Sequence, residues 1–67
     1  MLTVRKLRDG KWIEWEANAR SVKEAKAKAE AEAGSRLRWT KTQTGKLVAI
    51  NPQGKWTIGA YGLFGSF

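Results

Sequence analysis

Apolar and polar residues alternate from Leu2 to Leu7, and again from Trp12 to Ala17, which is the period of a half-buried β-strand. Between the two runs stands Arg8-Asp9-Gly10-Lys11, with an Asp-Gly pair suited to a tight turn. The pattern predicts a β-hairpin. On its second strand Ile13, Trp15 and Ala17 are expected to point inward, leaving Trp12 exposed beside Glu14 and Glu16 on the other face.

The period then changes. Ser21 followed by Glu24 forms a capping box, and the run Val22 to Ala33 consists almost wholly of strong helix formers, ended by Gly34 as C-cap. The apolar stripe Val22, Ala25, Ala29 and Ala33 is thin, so this helix can lie close against a sheet that carries the large side chains. Glu24 and Lys28 stand in the favourable i,i+4 order, and the remaining charges solvate the outer face.

Alternation returns from Arg36 to Lys41, with Leu37 and Trp39 on one side, and an apolar strand follows from Lys46 to Ile50 after a turn at Thr44-Gly45. Asn51-Pro52-Gln53-Gly54 has the residue preferences of a type I turn, so the strand from Lys55 to Tyr61 should return antiparallel. The expected fold is α+β: an antiparallel sheet of four to five strands with one helix packed on one face, in the order β-β-α-β-β-β. Residues 1–61 make a single domain. Residues 62–67 are a glycine-rich tail, free to fray or to tuck its phenylalanines onto that domain.

Sixty-seven residues build one small core. With no Cys and no His, neither disulfides nor the usual zinc chemistry can staple it, so stability must come from apolar packing, with Trp12, Trp15, Trp39 and Trp56 carrying much of the available area. If Leu37 and Trp39 face the helix, Arg36, Arg38 and Thr40 line the other side of the sheet; Trp39 and Trp56 are then core, and Tyr61 points outward with Thr57. No apolar run is long enough to span a bilayer and no secretory signal is visible, which points to the cytoplasm.

Enzymatic readings find little support. Glu14 and Glu16 share a strand face at roughly 6.6–6.8 Å, the spacing of an inverting glycosidase pair, but so short a chain offers no sugar cleft, and pairing with nearby cations explains them better. The serines lack a histidine base, and Thr44-Gly45-Lys46 lacks the glycine-rich run and following helix of a phosphate loop. A binding protein is expected, without catalysis, cofactor, metal or small-molecule substrate.

Thirteen Lys and Arg stand against six Asp and Glu, a formal charge of +7. Residues 1–34 hold eight basic and six acidic side chains; residues 35–67 hold five basic and none acidic. Anionic partners are favoured. Basic residues interleaved with aromatics fit nucleic acid, because Lys and Arg release counterions from phosphates while exposed rings stack on bases. The expected contacts are Arg36, Arg38, Lys41, Lys46 and Lys55, assisted by Arg5, Arg8, Lys11 and Trp12.

Val4-Arg5-Lys6, Arg8-Asp9-Gly10-Lys11-Trp12 and the helix with Glu24-Ala25 resemble the arm-binding domains of phage integrases and the related AP2-type domains, over about the first 34 residues. That resemblance implies a small sheet that lays strand residues into the DNA major groove, with Arg5, Arg8, Lys11 and Trp12 as contacts. Those families place three strands before the helix where this chain has two. In size and layout the chain is also similar to small phage-encoded host-takeover proteins such as the RNA polymerase inhibitors of T7-like phages. This second resemblance implies that the basic sheet face meets an acidic host protein surface.

Overall fold

The computed structural model describes residues 2–60. They form five strands and one helix in the expected order: β1 (Leu2–Arg8), β2 (Trp12–Ala19), α1 (Val22–Ala33), β3 (Thr40–Lys41), β4 (Leu47–Asn51) and β5 (Gly54–Gly59). All pairings are antiparallel and the sheet runs β2-β1-β5-β4-β3, an α+β fold with α1 against one face. The expectations placed on Tyr61 and on the tail at 62–67 lie outside the described residues.

Local chemistry accounts for the turns and caps. Asp9 and Gly10 both take positive φ, and the Lys11 N–H closes the β1–β2 turn on the Arg8 carbonyl. The Glu24 N–H donates to Ser21 Oγ at 3.1 Å, while the Glu24 carboxylate reaches back to accept from the Arg20 N–H, so both ends of the cap are engaged. Gly34 closes the helix in the left-handed region, its N–H on the Glu30 carbonyl. At the β4–β5 turn the Asn51 side-chain oxygen accepts from the N–H groups of Gln53 and Gly54 and from the Trp56 indole at 3.0 Å. Neither Pro52 nor Gln53 has positive φ, as a type I turn requires.

The core lies between α1 and the sheet. Val4, Ala49, Trp56 and Ile58 from the strands meet Ala25, Ala29 and Ala33 from the helix, with Ala19 and Leu37 closing the sides. Small residues on α1 leave room for Trp56, whose ring is fully buried and meets Trp15 edge-on at 5.9 Å, with Lys6 Nζ 5.5 Å from its centre. Trp15 and Trp39 are only half-buried, so of the four tryptophans Trp56 is the one at the centre.

Two expectations change. First, Lys6 registers with Trp15 and Leu7 with Ile13, so Glu14 is an extra residue in β2. Such a bulge inverts the alternation on one side of it. Trp15, Ala17 and Ala19 keep the inward parity, but Ile13 moves to the opposite face with Leu7 and is 54% exposed. Second, residues 36–39 form no strand. Leu37 enters the core and its N–H donates to the Glu30 carboxylate, so Arg36 and Arg38 flank it in solvent, outside the sheet whose far face they were expected to line. Only Thr40 of that expected trio does, through its register with Val48.

Candidate nucleic-acid interface

Strand register gives the sheet face opposite α1 two central rows, beside a short third row of Asn18, Thr3 and Gly59. One runs Glu16, Arg5, Thr57, Val48, Thr40 across all five strands; the next runs Ile13, Leu7, Lys55, Ile50 across four. Thr57 is buried at the centre, so the groups that can meet a partner are those around it. Arg5, Lys11, Lys46 and Lys55 converge on one hollow of about 320 Å³ floored by Leu7 and Thr57. Four separate parts of the chain supply these cations: strand β1, the β1–β2 turn, the approach to β4, and strand β5. A second hollow of about 490 Å³, lined by Thr40, Val48 and Ile50, shares Lys55 with the first.

The acids of β2 are tied up in ion pairs, and on different faces. Glu16 accepts from Arg5 Nε at 2.6 Å on the far face. Glu14, displaced by the bulge, meets Arg8 at 3.0 Å and Lys6 at 3.4 Å on the helix side. The expected shared face of Glu14 and Glu16 is therefore absent, and with it the geometry of a glycosidase pair. The hydrogen bond from Arg8 holds the Glu14 carboxyl below the usual carboxylate range, and the same bond raises the Arg8 guanidinium. Among the described residues no three acidic side chains gather as a metal site, and no helix is long and apolar enough to cross a membrane.

Of the sequence-predicted contacts, Arg5, Lys11, Lys46 and Lys55 come together on the far face. Arg36 and Arg38 are exposed, outside any strand and outside the lining of either hollow, whereas Lys41, in register with Leu47 on the edge strand β3, lines the second hollow with Thr40 and Lys55. Arg8 and Trp12 pair at the end of the β1–β2 hairpin, where Trp12 is 68% exposed beside Arg8 and Glu14. Sequence reasoning missed Ile13 and Ile50 as surface groups. Ile50 is 76% exposed, and its place next to the inward Ala49 was the available signal.

No family model, no curated protein and no solved structure matches the chain.

Proposed function

We propose that this protein binds nucleic acid through the sheet face opposite α1, chiefly through phosphates and with weak sequence specificity, and that it is not an enzyme. The observation that carries the reading is the convergence of Arg5, Lys11, Lys46 and Lys55 on one hollow, with Glu16 the acid in register beside them. Four cations drawn from separate parts of the chain make a surface to which a polyanion gains affinity by shedding counterions. Arg36, Arg38 and Lys41 extend the positive field around the molecule and assist encounter. A cytoplasmic location goes with this reading.

Fluorescence anisotropy of labelled DNA or RNA over a salt series tests it. Replacing Lys11 and Lys55 together by alanine should weaken binding to all sequences and lower the magnitude of the salt slope by about 2, whereas Arg36→Ala with Arg38→Ala should change it less. Absence of binding by the parent protein at about 50 mM salt would remove the reading.

A second reading has its own observation. Trp12, 68% exposed next to the 54% exposed Ile13, is the kind of aromatic anchor that protein interfaces bury. An inhibitor or adaptor that seats Trp12 on an acidic host protein would bind with little salt sensitivity compared with phosphate binding, and would lose its partner on Trp12→Ala.

A further inference from the structure

We infer, resting on the nucleic-acid reading above, that the face opposite α1 takes a single strand laid across the β-strands in preference to a duplex. The first argument is width. Five strands at about 4.8 Å spacing make a face roughly 19 Å across, whereas a major groove about 12 Å wide admits a helix or a two-stranded ribbon. The far face therefore cannot enter a groove as a unit, and a duplex could meet it only along one phosphate ridge.

The second argument is chemical. The row Ile13, Leu7, Lys55, Ile50 sets one cation between two exposed isoleucines. A duplex hides its base faces in the stack and offers this row nothing apolar, whereas an unpaired strand has base faces to lay against aliphatic side chains. Each nucleotide of such a strand carries both a phosphate and a base, and this row offers Lys55 to the one and Ile13 and Ile50 to the other. The two hollows meet at Lys55, so the path is continuous from Lys11 and Ile13 on one side to Ile50 and Thr40 on the other. At about 3.4 Å per stacked nucleotide, a path of roughly 19 Å holds on the order of five nucleotides.

The test uses the intact protein and labelled DNA of roughly 12 nucleotides, within the site sizes of single-strand binders, as a mixed-sequence single strand and as the matching duplex. At about 50 mM salt the single strand should bind at least about tenfold more tightly. The double variant Ile13→Ser, Ile50→Ser should lose about tenfold for the single strand and less than about twofold for the duplex. Both positions are exposed, and a melting curve establishes that the variant is folded. Duplex binding as tight as or tighter than single-strand binding would overturn this inference and leave the proposed function standing. So would a single strand indifferent to the two serines, or equal losses on both ligands. Binding of neither form would overturn both.

Discussion

Replacing Trp56 by alanine should leave little folded protein. The ring is fully buried, in contact with Trp15, with its indole N–H on Asn51 and Lys6 over its face. A tryptophan hides about 200 Å² of surface, worth about 5 kcal/mol at 25 cal/mol per Å², and truncations of this kind cost roughly 3–5 kcal/mol in measured cores. A domain of this length has roughly 3–10 kcal/mol in all. The thin helix stripe cannot collapse into the void, because Ala25, Ala29 and Ala33 have no further atoms to move inward. Urea and thermal unfolding followed by circular dichroism should show a loss of well over 10 °C, since each kcal/mol shifts the midpoint of so small a domain by about 4–8 °C. Trp56→Phe keeps an aromatic ring but loses the indole donor and some volume, leaving Asn51 its two backbone partners, and should cost about 1–2 kcal/mol or somewhat more. Trp12→Ala, at an exposed site, should stay within about 0.5 kcal/mol of the parent. If Trp56→Ala melted within a few degrees of the parent, the core described here would be wrong.

Gly54→Ala should also destabilise, by about 1–3 kcal/mol or more, because Gly54 holds φ 151° and an added Cβ would stand 2.7 Å from the Leu7 carbonyl oxygen; a urea midpoint measures it. Glu14, whose folded pKa is depressed, contributes stability that is present above its unfolded value of about 4.5 and is lost as pH falls through the folded value. In an NMR titration the Glu14 carboxyl should therefore titrate below 4.5 in the parent and move up toward it in Arg8→Ala; an unchanged titration would refute the pairing.

The turns and the helix were readable because their signals are local. Asp9-Gly10, Ser21 with Glu24, Gly34 and the Asn51 to Gly54 turn each specify a conformation through a few neighbouring residues, and each stands where the sequence puts it. Glu14 is a different case. A bulge is a relation between two strands, and the alternating letters around Glu14 read the same with or without it, so Ile13 was assigned to the wrong face. Residues 36–39 alternate for a reason that needs no pairing: an extended segment that plugs a core with Leu37 also sends its neighbours outward. The cationic hollow was half legible. Charge counting found Arg5, Lys11, Lys46 and Lys55, but that they share a face while Arg36 and Arg38 do not depends on β1 lying beside β5, a contact between segments some fifty residues apart.

That same seam governs when the chain can fold during synthesis. Val4 pairs with Ile58 and Lys6 with Trp56, so the middle of the sheet joins β1 to β5, some fifty residues later in the chain. Without β5 the chain can form only the β1–β2 hairpin, α1 and a short β3–β4 pair, and isolated hairpins are marginal in water. Val4 and the helix alanines wait, uncovered, for Trp56. Folding is held until translation has delivered β5, and the nascent chain is most exposed to proteases and to aggregation just before that strand arrives.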